Sequence, residues 1–368
     1  MKTNRWIITA IAVVMAGGYH LEPALAQTPA AATPIFKTSI QVATNTRRYY
    51  VNPGGERDED TWSWAPCVKF NVQGPLPSGS QFSVEFFQGG GKPWVSYECK
   101  TPQVDADKTA GIECGYGIPP EQLKGITSTG VFTFKIHMRN ELRGSNESVF
   151  EGRFAVNKFH AGADLPKTKN NFEFYVDHDW QLPISFVWCP QPSRSADGVM
   201  YFDDYSPLYT AFWFKGGALP ERELAAYLFY QGREISNTKS HGHAVPDGSL
   251  ATGQATSPYE YKRVRLEFTD VFAFVKDPQA HPGFYLNKNP GEYEIKVLRA
   301  GHLARSLTFT VGSDGKIVDN GIAGANGILG PRMIVPARVL GDTDGPWNAE
   351  AWRTEALYGN PLKGFALP

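Results

Sequence analysis

The sequence predicts an all-β protein: two tandem β-sandwich domains of immunoglobulin-like shape arising from an internal duplication, then an irregular C-terminal tail ending in a short helix. Three observations carry this. Residues 76–89 and 219–232 repeat one pattern, Leu-Pro, ten residues, Gln-Gly, and inside that ungapped block Phe86-Phe87 answers to Phe229-Tyr230. A duplication of this length makes each copy a structural unit. Apolar and polar residues alternate in short runs separated by turn residues, the pattern of half-buried strands. Aromatic residues reach 13% while charged residues stay at 20%, with 37 Gly and 27 Pro, a mixture that suits turn-rich β domains better than helical ones.

The first element is a targeting segment, residues 1–26. Lys2 and Arg5 precede an apolar run from Trp6 to Gly18, and Ala24-Leu25-Ala26 forms a small-x-small cleavage site. The run is too short to span a bilayer, no later stretch of about 18 apolar residues follows, and no Cys adjoins the cleavage point to take a lipid. The expected location is therefore secreted or periplasmic. Removing Lys2, Arg5 and Glu22 takes the net charge from −1 to −2, which gives no field to recruit nucleic acid or an anionic membrane. A Pro/Ala/Thr linker occupies 27–34.

The first sandwich is expected over 35–159, with alternating strands at Ser39–Val42, Val68–Val72, Phe82–Phe86 and Val131–Ile136. Gly74-Pro75, Gly89-Gly90-Gly91, Pro119-Pro120 and Arg143 to Asn146 supply turns. After a polar linker at 160–171, the second sandwich is expected over 172–318. Its matches keep their order: Trp64-Ala65-Pro66 with Tyr205-Ser206-Pro207, Phe70–Gly74 with Phe212–Gly216, Gly130-x-Phe132 with Gly291-x-Tyr293, and Arg153–Val156 with Thr308–Val311. Six or seven short strands per copy fit an immunoglobulin-like sandwich, although the core Cys and Trp pattern of true immunoglobulin domains is absent. Glu221 to Tyr230 has helical spacing, but its counterpart Ser78 to Phe87 alternates cleanly, and the repeat decides for a strand. The tail, 319–368, is rich in Gly, Ala and Pro, with a short helix predicted over 348–358: Asn348 caps it, Gly359 sits past its end and Pro361 forbids continuation.

Four cysteines in an oxidising compartment point to structure. Cys99 and Cys114 flank a polar, turn-like stretch and are expected to form a disulfide; closing a loop of about 15 residues is worth about 3 kcal/mol. Cys67 and Cys189 either bridge the copies or remain buried thiols. Four cysteines without a C-x2-C pair do not make a zinc site.

Candidate chemistry is sparse. His241 and His243 stand two apart in a Gly/Ser/Pro loop and are weak metal candidates that need a third ligand, for which His178 or His281 are the nearest choices; a solvated loop is the simpler reading, so no metal is assigned. Asp58-Glu59-Asp60 and Asp203-Asp204 precede matched strands, but no Asp-x-Asp-x-Asp-Gly loop accompanies them. G-x-S-x-G, H-E-x-x-H and S-x-x-K with S-D-N are missing, and Gly89-Gly90-Gly91-Lys92 lacks phosphate-loop spacing. The sequon Asn146-Glu-Ser148 follows a bacterial-type leader and is expected to be unused. The aromatic residues Trp62, Trp64, Tyr201 and Tyr205 occupy matched zones and form the candidate ligand-binding set, suited to stacking on a sugar or an extended peptide if exposed.

The expected function is an exported, non-catalytic binding or scaffolding protein without a cofactor, whose partner would be a peptide, a glycan or another protein. Two alternatives stand beside it. One is a secreted, glycan-acting hydrolase with its site between the domains; the other is an assembly component whose tail docks on a partner.

Overall fold

A computed structural model describes residues 35–48, 62–105, 108–118, 122, 124–160, 172–190, 193–194, 200–201, 205–216, 223–250, 259–328 and 332–368. The expected signal segment and both linkers, apart from His160, lie outside the described residues, as do the clusters Asp58-Glu59-Asp60 and Asp203-Asp204.

The chain is all-β. Strands β1 (Ile35–Arg48), β2 (Trp62–Gln73), β3 (Ser80–Gln88), β4 (Lys92–Glu98), β5 (Thr109–Cys114), β6 (Gly130–Asn140), β7 (Ser145–His160) and β8 (Phe172–Val176) come first. They form a three-stranded sheet, β1-β2-β5, and a five-stranded sheet, β4-β3-β6-β7-β8. Then follow β9 (Ile184–Trp188), β10 (Ser193–Arg194), β11 (Met200–Tyr201), β12 (Tyr205–Lys215), β13 (Leu224–Tyr230), β14 (Arg233–Asn237) and β15 (Gly242–Leu250). The last strands are β16 (Tyr261–Val275), β17 (Phe284–Tyr285), β18 (Gly291–Arg299), β19 (His302–Val311), β20 (Met333–Pro336) and β21 (Arg338–Val339). These build a six-stranded sheet, β15-β16-β12-β9-β20 with β17 beside β16, a second five-stranded sheet, β14-β13-β18-β19-β21, and the small ribbon β10-β11. Glu221 to Tyr230 is a strand where it is described, as the repeat required.

The same strand order occurs twice. Setting β1, β2 and β5 on β9, β12 and β16, and β3, β4, β6, β7 and β8 on β13, β14, β18, β19 and β21, preserves the strand order of the five-stranded sheet and of the three-stranded sheet, to which the six-stranded sheet adds β15, β17 and β20. Bulges coincide as well: Phe86/Phe87 on β3 with Leu228/Phe229 on β13, and Ile136/His137 on β6 with Val297/Leu298 on β18. On that overlay Phe86 falls on Leu228, both wholly buried, and not on the half-buried Phe229, one residue away from the match read in the sequence. The cause is the turn. Gln88 ends β3 ahead of three glycines, whereas Gln231 and Gly232, at φ 50° and 76°, are themselves the two-residue turn between β13 and β14.

Each sheet pair shares a core. Val42, Val68, Phe70 and Ile112 of the three-stranded sheet meet Phe82, Phe86, Phe134 and Phe154 of the first five-stranded sheet in one apolar cluster. Phe212, Phe214, Val264 and Leu266 meet Leu228, Tyr293, Ile295 and Phe309 in the other. Strand β12 is buried on both faces: Tyr209 and Ala211 point away from the second core and join the first. Strand β8, expected to open the second domain, instead extends the first five-stranded sheet along β7.

The tail is less irregular than its composition suggests. It supplies β20 to the six-stranded sheet and β21 to the second five-stranded sheet. The predicted helix over 348–358 breaks into two single turns, α2 (Ala351–Thr354) and α3 (Ala356–Gly359), after the short α1 (Ile322–Ala325). Asn348 accepts the Glu350 N–H at 3.0 Å in a turn ahead of α2, whose N-cap position is Glu350 rather than the expected Asn348. Leu357 and Tyr358 then take left-handed backbone, φ 44° and 60°, which costs of order 1 kcal/mol each for residues with a Cβ. What offsets it is burial: both side chains enter the first core, and the Tyr358 hydroxyl accepts the Val42 N–H at 2.9 Å.

Candidate ligand-binding cleft

Alternation along the three-stranded sheet sends Val42, Val68, Phe70, Val72 and Ile112 inward and leaves a polar outer face. Strand register sets Gln41, Lys69 and Glu113 in one row across β1, β2 and β5, with Phe36, Asn71 and Gly111 in the next. Between Phe36 and Gln41 the β1–β2 pairing shifts register, so β1 bows away from its partner there. Ser39 holds the bow: its Oγ donates to the Phe36 carbonyl at 2.7 Å and accepts the Asn71 N–H at 2.7 Å. Gly111 keeps the floor low, since a Cβ there would meet only Asn71 Oδ1, at 3.7 Å.

Phe186 on β9, Arg263 on β16, and Ile328 and Arg332 from the tail form the opposite wall, and the space between is a half-open cleft of about 570 Å³. That volume falls in the range of small-molecule sites. The charged residues of the lining are Lys69, Arg263, Arg332 and Glu113, of which Arg263 is engaged in a further interaction. Aromatic rings set the guanidinium groups: Arg332 lies 4.7 Å over Trp188, and Arg263 lies 5.8 Å over Phe186 and 5.4 Å over Trp213. Among the described residues neither Lys69 nor Arg332 has an ion-pair partner, although Lys69 stands cross-strand from Glu113. Gln41 Oε1 is buried on this face without a hydrogen bond.

A second, smaller cavity of about 190 Å³ lies between β7, the turn after β8, and α3, and it is lined by Arg153, Asp177, Trp180, Glu355 and Tyr358. Both carboxyls are pushed above the usual carboxylate range, Asp177 by burial and then the Asp179 charge, Glu355 by burial and then both aspartates. Asp177 is committed elsewhere: its Oδ1 accepts from the Asp179 N–H at 3.0 Å and from the Tyr261 hydroxyl at 3.2 Å. Beside it Asp179 pairs with Lys215 at 2.8 Å and accepts from Tyr261 at 2.6 Å and from the Asn348 N–H at 2.7 Å.

The residues singled out from sequence do not assemble into one site. Trp64 is wholly buried, its ring edge-on to Trp94 and Phe132 and its Nε1–H donating to the Ser128 carbonyl at 2.9 Å. It shares the inward phase of β2 with Val68 and Phe70, so the expectation of an exposed stacking ring there is corrected. Tyr205 is half-buried, against Phe272 and His281. Trp62 and Tyr201 give backbone to β2 and β11, and their side chains lie outside the described residues. His243 faces Glu267 at 2.8 Å and His241 faces Asp270 at 4.0 Å, each with its own carboxylate. His178 is buried far from solvent on Val176 and Tyr358, and among the described residues no three His, Cys, Asp or Glu converge as a metal site would require. Cys99 and Cys114 form the expected disulfide, whereas Cys67 and Cys189 are buried free thiols, pushed up to about 12 by burial.

Sequence reasoning placed Gln41, Lys69 and Asn71 on a polar strand face but gave them no partner; Arg263 and Arg332 carried no local signal at all. No family model matches the chain, and no curated protein matches it.

Proposed function

We propose that this is an exported, non-catalytic binding protein of two immunoglobulin-like sandwiches derived by duplication, and that it holds a small polar ligand in the cleft between the three-stranded sheet and the β9–β16 wall. The cleft itself carries the reading: it is ligand-sized, formed by both expected copies and the tail, and lined by Lys69 and Arg332, which have no ion-pair partner among the described residues. The repeated strand order and the coincident bulges support the duplication, and the Cys99–Cys114 disulfide supports an oxidising compartment. Among the described residues no helix is long and apolar enough to cross a membrane.

The hydrolase reading has one observation in its favour, the carboxyls Asp177 and Glu355, both pushed above the usual carboxylate range by burial. Their cavity is smaller than a sugar site needs, and Asp177 is held by structural hydrogen bonds, so the cleft is the better site. The test is a thermal-shift screen of small polar metabolites on the full chain and on Gly111→Leu, which fills the cleft from a position without backbone strain. Ligands that stabilise the parent and leave Gly111→Leu unmoved are expected. Ligands that stabilise both chains equally would place binding elsewhere.

A further inference from the structure

The cleft also points to the chemical class of its ligand, an inference that rests on the binding reading above. We propose that the ligand is an anionic polyol of about one or two sugar rings, carrying one carboxylate that lies between Lys69 and Arg332.

The charge pattern decides the sign. Inside a concave, partly desolvated surface the field of the cations is focused, and an anion is drawn to it. The Arg332 guanidinium lies 4.7 Å over the Trp188 ring, and a guanidinium held beside a ring can receive a carboxylate or phosphate in bidentate fashion. Lys69, paired directly with Gln41 across β1 and β2, adds a point charge.

The rest of the lining selects what the anion is attached to. Glu113, opposite Lys69 across β2 and β5, would repel a second negative charge and would accept hydroxyl hydrogen bonds, so the ligand carries one charge and several hydroxyls. Gln41, Asn71 and Thr38 present amide and hydroxyl groups suited to the same oxygens, while Phe186 and Ile328 give an apolar wall for the carbon face of a ring. A purely apolar ligand would leave all these groups unpaired.

Isothermal titration of the full chain tests this with matched probes: glucuronate and galacturonate, their neutral sugars glucose and galactose, and the corresponding 6-phosphates. At least one uronate is expected to bind about 10-fold or more tightly than its neutral sugar, and the affinity should fall as salt rises. Lys69→Met and Arg332→Gln should each weaken uronate binding about 10-fold, with melting curves confirming that the variants fold. Neutral sugars binding as well as the uronates would overturn the anionic class and leave the cleft reading intact. Phosphates binding more tightly than uronates would overturn the single-carboxylate assignment. Binding that survives Gly111→Leu, or no binding by any probe together with an empty screen, would overturn the cleft itself.

Discussion

Lys215 and Asp179 are buried together on the floor of the molecule's main polar network, and their surroundings explain how two charges are tolerated there. The pair closes at 2.8 Å, and Tyr261, the Asn348 N–H and the Pro346 carbonyl take up the remaining hydrogen-bonding positions. Removing one partner strands the other, so Asp179→Asn should lower stability by about 3–5 kcal/mol in urea unfolding, while the double replacement Asp179→Leu with Lys215→Met should cost less than either single change. Equal losses for all three would show that the charges are not coupled. His178, next to Asp179 in the chain, titrates with a definite sign. Burial pushes its ring down to about 3 from an ordinary 6.5, so the unfolded chain takes up a proton that the folded chain refuses. Stability attributable to this ring is complete above pH 6.5 and is lost as pH falls towards 3, by up to about 1.4 kcal/mol per pH unit. Asp177 and Glu355 act oppositely, since their raised values let the folded state hold protons first and gain stability as pH falls. His178→Gln isolates the ring: its stability relative to the parent should rise steadily between pH 6.5 and 4.5, and a pH-independent offset would refute the assignment.

Single elements show where local sequence rules yield to packing. The tail segment 348–358 carries the residues of a capped helix, yet it forms two separate turns, α2 without a side-chain cap and α3 with Gly359 inside it, while Tyr358 is buried in the core. Its hydroxyl reaches His178 at 3.0 Å and the Val42 N–H at 2.9 Å, contacts with residues 180 and 316 positions distant that no local pattern encodes. The repeat was legible for the same reason that the helix was not: strand alternation and turn glycines are local, and they placed β13 correctly against its own helical propensity. Turn length misled only where Gln88 is strand and Gln231 is turn. Docking of α3 depends on a glycine in β7. A Cβ on Gly152 would stand 2.9 Å from Tyr358 Cβ and 2.8 Å from the Phe150 ring, so Gly152→Ala should cost about 1–3 kcal/mol and hasten proteolysis near residue 358. A variant as protease-resistant as the parent would show that the tail tolerates displacement.

At the scale of the whole molecule, sequence resolved what lies within a strand and missed what lies between distant strands. The polar phase of β1 and β2 read as an ordinary solvated face, because nothing in Gln41 or Lys69 announces that Arg332 arrives opposite. The tail causes that meeting, and it is bound into both halves. It adds β20 and β21 to two sheets, places Leu357, Tyr358, Leu362 and Phe365 in the first core, and supplies Asp344 to Arg305, a guanidinium with no exposed surface, at 2.6 Å. Docking in cis on this scale predicts that deleting 319–368 unfolds more than the tail. Two sheet edges would open, the first core would lose its cover, and Arg305 would remain buried without its counter-ion, a loss of about 3–5 kcal/mol from that group alone. Asp344→Ala in the full chain should reproduce that last component, lowering the melting temperature while keeping the strand signal in circular dichroism. The truncated chain should lose cooperative melting altogether. If it melts as the parent does, the tail is an appendage free to serve a neighbouring molecule, and the assembly reading displaces the one argued here.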